Sequence, residues 1–79
     1  MKSVKIQLAT IKDVQRFIQT VIAFDMDIDL SSGRYVVDAK SIMGIFSLDL
    51  MNPILLTSHS DSEEENAKLL AALKDYIVE

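Results

Sequence analysis

The sequence predicts an α+β fold, a four-stranded antiparallel sheet covered on one face by three helices. Three observations predict it. Strict alternation of apolar and polar residues marks strands with one wet face. Apolar stripes at i, i+3 and i+4 spacing mark helices that bury one side. The segments follow one another as β-α-β-β-α-β-α, and one apolar face per strand calls for a single helical layer, giving an open-faced sandwich.

The elements follow in order. Val4, Ile6 and Leu8 alternate with Lys5 and Gln7, a half-buried strand. Thr10 opens a helix, with Asp13 three residues later in a capping-box pattern. Val14, Phe17, Ile18, Val21 and Ile22 form its apolar stripe, and Lys12, Gln15, Arg16 and Gln19 its wet side. From Phe24 to Leu30, Phe24, Met26, Ile28 and Leu30 point one way, and Asp25, Asp27 and Asp29 the other. Ser31-Ser32-Gly33 reads as a turn and residues 34–38 as the returning strand of a hairpin. Ser41 starts a second, short helix that Asn52-Pro53 ends. On it Ile45 and Leu48, joined by Leu50, are the expected core contacts. Residues 54–58 form the fourth strand. Ser60 to Glu65 is an acidic loop and helix start, with Ser62 and Glu65 spaced as a second capping box. Leu69, Leu70, Leu73, Tyr76 and Ile77 supply the last helix with its stripe. Lys5, Gln7, Asp27, Asp29, Asp38 and Thr57 are expected on the open sheet face, with Val36 and Leu55 as contacts there if the domain joins an assembly.

Composition narrows the function. The chain has 79 residues, which fits one domain over residues 1–79, and a chain of this size buries roughly 60% of its unfolded surface. Cysteine is absent, so neither a disulfide framework nor a thiolate zinc site is available. Net charge is −4 with eight scattered basic residues, a poor match for nucleic acid. Apolar runs such as Val21 to Phe24 are far too short to insert in a membrane, and the N-terminus lacks the apolar core of a signal peptide. Proteins or small molecules are the expected partners, and the cytoplasm the expected location.

Five groups invite a functional reading beside a plain one. Ser41 is a favoured N-cap, a role worth about 1 kcal/mol. The same position offers spare amides and the positive end of a helix dipole, which tolerate a phosphate. Ile42, Met43 and Phe46 follow it at i+1, i+2 and i+5 and cannot all face one core, so they are read as a docking patch. Thr10 is most simply a cap, and His59 a solvated loop histidine. A lone histidine makes no metal site, and Asp25, Asp27, Asp29 and Asp38 read as a solvated face without a cage. No phosphate-binding glycine loop or nucleophile elbow is present, so no cofactor, no metal and no enzyme activity is expected.

Lys40-Ser41-Ile42-Met43-Gly44, followed by Ser47-Leu48, resembles the regulatory-serine motif of HPr, the histidine-containing phosphocarrier of the bacterial sugar phosphotransferase system. Phe24 to Leu30 is similar to that family's second strand, and Leu70-Ala71-Ala72-Leu73 to the core contact of its last helix. The resemblance spans nearly the whole chain and implies the same fold. It departs at one place. The family carries its phosphorylatable histidine in a Gly-x-His-x-Arg-Pro setting. Here Leu8-Ala9-Thr10-Ile11-Lys12-Asp13 matches that setting, with Thr10 for the histidine, Lys12 for the arginine and Asp13 for the proline. A threonine phosphate is a stable ester and cannot be relayed as a phosphoramidate is.

The resemblance therefore implies a bacterial HPr-like protein that lacks the active-site histidine, like the catabolite-repression HPr-like proteins. Ser41 would be modified by an HPr kinase/phosphorylase and read by a catabolite-control transcription factor, linking sugar transport to carbon catabolite repression. Lys12, Lys40, Ile42, Met43 and Phe46 would contact partners, which extend to enzyme I-like surfaces. Two alternatives stand beside this reading: a degenerate scaffold with an unrelated binding role, in which Ser41 is only a cap, and a phosphocarrier that works through Thr10 or His59.

Overall fold

The computed structural model describes residues 1–78. Its elements are β1 (Lys2–Ile6), α1 (Ile11–Ile22), β2 (Ile28–Ser32), β3 (Tyr35–Asp38), α2 (Ile42–Phe46), β4 (Ile54–Ser58), α3 (Glu63–Ala72) and β5 (Ile77–Val78). The strands form one sheet in the order β3-β2-β4-β1-β5, every pair antiparallel. The expected architecture is present, with one correction: among the described residues the sheet has five strands rather than four.

The fifth strand arises at the end of the supposed last helix. α3 stops at Ala72. Leu73 alone of the remaining stripe is fully buried, and the chain turns so that Ile77 and Val78 pair with Ile6 and Lys5 of β1. Tyr76 lands edge-on against Phe17, ring centroids 6.1 Å apart and planes at 87°, a favoured aromatic geometry.

The core lies between the sheet and the helices. Ile6, Ile28, Leu30, Ile54 and Leu56 project from the inner sheet face; Val14, Phe17, Val21, Ile45, Leu69 and Leu73 meet them from the other side. Ile45 and Leu48 are buried as expected, and Leu50 packs against the core half-exposed. Ile22 departs from the expected stripe and is 58% exposed. Val14, Phe17 and Val21 already fill the buried side of α1, and Ile22 falls one step beyond them, with Ile11 on the same outward flank.

Phe24 and Met26 do pack inward, yet β2 begins only at Ile28. The preceding stretch is a loop tied down by the Lys40 ammonium, which donates to the carbonyls of Phe24 (2.6 Å) and Met26 (3.1 Å). The hairpin turn is also tighter than expected. Ser31 and Ser32 belong to β2, and Gly33-Arg34 alone connect it to β3. Gly33 takes φ +59° while Arg34 stays at negative φ, the glycine-first pattern that suits two-residue hairpins. Gln7 lies beyond β1 rather than on the open face, its side-chain amide holding the Leu50 carbonyl at 3.0 Å.

A candidate interaction site on the α1 and α2 face

Two hydroxyls begin the two helices of interest. Thr10 caps α1: its Oγ1 accepts the Asp13 N–H at 3.0 Å. The Asp13 carboxylate closes the box from the other side. Its Oδ2 accepts the N–H groups of Ala9 (3.0 Å) and Thr10 (3.3 Å). Free amides at a helix start are what would receive an anion. At α1 an internal anion already holds two of the amides flanking the threonine hydroxyl.

α2 begins differently. Ser41 is half-exposed, and its Oγ accepts the Gly44 N–H at 3.2 Å. The first turn of α2 holds no acidic residue. Gly44 makes this a close fit. A Cβ built there would lie 3.1 Å from Val37 Cβ and 3.3 Å from Ser41 Oγ, so any larger residue would have to push these neighbours back by a few tenths of an ångström.

Sheet register sets the two hydroxyls apart. Thr10 follows Ile6, which pairs with Ile54 at the start of β4. Ser41 follows β3, whose last residue, Asp38, shares a row with Asp29 and Thr57 near the other end of β4. Thr10 and Ser41 thus follow strand ends that meet different ends of β4.

Along α2, Ile42, Met43 and Phe46 stand 41%, 79% and 43% exposed, while Ile45 is fully buried. Five residues of helix can bury little more than one side chain, so the other three are left outward. Ile42 also lines a shallow groove of about 400 Å³ with Gln15, Ile18 and Gln19 of α1. Ile11, Ile18 and Ile22, at i, i+7 and i+11, form a second stripe on that helix, with Ile11 and Ile22 exposed and Ile18 partly buried against the core. The expected patch missed the α1 stripe, although its spacing is visible in the sequence.

The other candidates are more varied. Lys12 is exposed and makes no ion pair among the described residues. Lys40 departs from its expected surface role: it is half-buried and its ammonium is committed to the two loop carbonyls. His59 is not merely solvated. Its Nε2 lies 2.6 Å from Asp29 Oδ2 in a partly exposed pair. It follows β4, at the end of that strand away from Thr10, so the structure does not bring the two together. Among the described residues, no cluster of three or more His, Asp or Glu side chains has metal-binding geometry. No helix of the described chain is long and apolar enough to cross a membrane.

The family model for the PTS HPr component phosphorylation site matches residues 11–79. The chain belongs to the HPr family. Solved HPr structures agree. HPr-C-His from Thermoanaerobacter tengcongensis is 33% identical with a TM-score of 0.77, over 95% of this chain and 89% of that one. The phosphocarrier protein HPr from Bacillus anthracis is 32% identical with a TM-score of 0.66, over 91% and 93%. The Bacillus subtilis catabolite repression protein Crh, described as a swapped, intertwined dimer, is 26% identical with a TM-score of 0.65, over 94% and 88%. The family match begins one residue after Thr10, so what stands in the histidine's place is read from the chain itself.

Proposed function

We propose that this HPr-family chain is a regulatory protein-interaction module of carbon catabolite repression in the bacterial cytoplasm, and neither a histidine phosphocarrier nor an enzyme. The observation that carries this reading is the contrast between the two helix starts. At α1 a threonine replaces the imidazole, and the Asp13 carboxylate occupies the amides of Ala9 and Thr10. A phosphoryl group arriving there meets a fixed like charge. At α2 the Ser41 hydroxyl is half-exposed, faces no acid in its own first turn and adjoins three exposed apolar side chains. Similarity to a catabolite repression protein supports the same direction.

In this mechanism an HPr kinase/phosphorylase transfers the γ-phosphoryl group of ATP to Ser41 Oγ. A new P–O bond forms at the serine, ADP leaves, and the hydroxyl proton passes to the kinase. The product adds about −1.5 to −2 charges beside Ile42, Met43 and Phe46. A catabolite-control transcription factor reads that charge together with the apolar patch. Lys12, exposed in the first turn of α1, supplies a free cation to an acidic partner.

The test is incubation with ATP and HPr kinase, followed by intact mass and fragment mapping. One phosphoryl group on Ser41, absent from Ser41→Ala, is the expected result. No mass gain, or a gain that persists in Ser41→Ala, would overturn the reading.

A further inference from the structure

β3 is an edge strand, guarded on its free side only by its shortness and by the charges of Arg34 and Asp38 at its ends. It pairs only with β2. The Ala39 N–H donates to the Ile28 carbonyl at 2.9 Å, which fixes the alternation of the ladder. Tyr35 and Val37 therefore bond toward β2, while the N–H and C=O of Val36 and the N–H of Asp38 face outward. The Asp38 carbonyl is already taken by the Ser41 N–H. Unpaired groups of this kind template a further strand. No lysine, proline or bulge interrupts Tyr35–Asp38, and Tyr35 and Val36 are 68% and 64% exposed.

Charge selects the strand that fits. Asp38 stands directly across the hairpin from Asp29, like charge against like charge. Asp29 has His59 as its partner. Asp38 has no cationic partner among the described residues, and neither has Arg34 at the turn. The segment Arg34-Tyr35-Val36-Val37-Asp38 is thus a cation and an anion placed evenly about Val36. An antiparallel copy of the same segment, centred on Val36, answers it on both sides.

We propose that the β3 edge binds a second copy of this chain, the two β3 strands pairing antiparallel about a two-fold axis at Val36. Each Val36 exchanges both backbone hydrogen bonds with the Val36 of the second copy. Each Arg34 faces the second copy's Asp38, which supplies the counter-charge that the Asp29–Asp38 pair lacks. The contact is isologous, so it closes at two copies and leaves no edge to propagate from β3. Four-residue strands bury well under the roughly 1,000 Å² expected of a stable interface, so the dimer is concentration-dependent. The docking side chains Ile42, Met43 and Phe46 belong to α2 and take no part in it.

Sedimentation velocity on the intact chain across a wide concentration range tests this. The expected result is a reversible shift from 8.8 kDa toward twice that mass. Arg34→Asp alone and Asp38→Arg alone should each raise the dissociation constant by about tenfold or more, because each sets like charges opposite twice per dimer. The double variant Arg34→Asp with Asp38→Arg should restore dimerisation, a recovery that a folding defect would not produce. Circular dichroism checks that each single variant remains folded; Val36→Lys, exposed on the same edge, serves if Asp38→Arg does not. A monomer at every concentration would overturn the proposal. So would a dimer indifferent to these changes, as a swapped dimer would be.

Discussion

Thr10 and Ser41 do the same local job. Each hydroxyl accepts the N–H three residues on and begins a helix. They differ in what surrounds that hydroxyl. At α1 a carboxylate reaches back to two amides, and three fully buried side chains, Val14, Phe17 and Val21, anchor the helix behind it. At α2 no acid follows in the first turn, only Ile45 is fully buried, and three apolar residues face out. The first end is built to be stable. The second is short, lightly anchored and chemically open, which is the arrangement that suits a modified, partner-facing segment.

The sharpest way to break this comparison is to remove the anchors. Phe17→Ala should cost about 3–5 kcal/mol, enough to unfold a large share of a domain this size in chemical denaturation. Ile45→Ala should cost about 2–5 kcal/mol, and hydrogen exchange should show protection lost at α2 while α1 keeps its own. Equal loss at both helices would mean that α2 is not the lightly held element described here.

Gly44→Ala comes next. Alanine normally favours a helix interior by about 1 kcal/mol over glycine. Here its Cβ meets a β-branched side chain on a strand at 3.1 Å, so the expected outcome is net destabilisation of about 1 kcal/mol with Ser41 displaced. A stabilised variant would show that the α2–β3 approach is slack. Thr10→Ala should cost about 1 kcal/mol, lowering Tm by about 4–8 °C. Met43→Ala should change stability by less than about 0.5 kcal/mol, while weakening capture of the phosphorylated form by its reader in a titration. A large stability loss there would place Met43 in the core instead of on the proposed docking patch.

What was legible in the sequence follows the range of each interaction. The caps at Thr10 and Ser62 needed only three residues, and both hydroxyls cap as read, but the box closes only at Thr10; the Ser62 N–H donates to Ser60 Oγ, which in turn donates to Glu65. The outward set Ile42, Met43 and Phe46 was legible because their spacing from Ser41 cannot put all three on the side that Ile45 buries; the end of α2 at Phe46, well before the Asn52-Pro53 expected to stop it, was not. Lys40 was not: its ammonium meets carbonyls 16 and 14 residues away, and nothing local marks that contact. β5 was hidden for a similar reason. Tyr76 and Ile77 continue the spacing of a helical stripe from Leu73, while the pairing that overrides it comes from β1, about seventy residues earlier in the chain. The exposure of Ile22 depended on Val14, Phe17 and Val21 already filling the inner side of α1. The site's chemistry was more readable than its geometry. That Thr10 stands where the resemblance would put a histidine can be read at once, but only the folded chain places the Asp13 carboxylate on the Ala9 and Thr10 amides.

The central claim is that α1 is closed to phosphoryl transfer and α2 is open to it. The most direct test splits one purified sample between phosphoenolpyruvate with enzyme I and ATP with HPr kinase, and reads intact mass in both. The account predicts one phosphoryl group from the kinase, on Ser41, and none from enzyme I. A phosphoryl group accepted from enzyme I, on Thr10 or His59, would contradict it and make the chain a carrier.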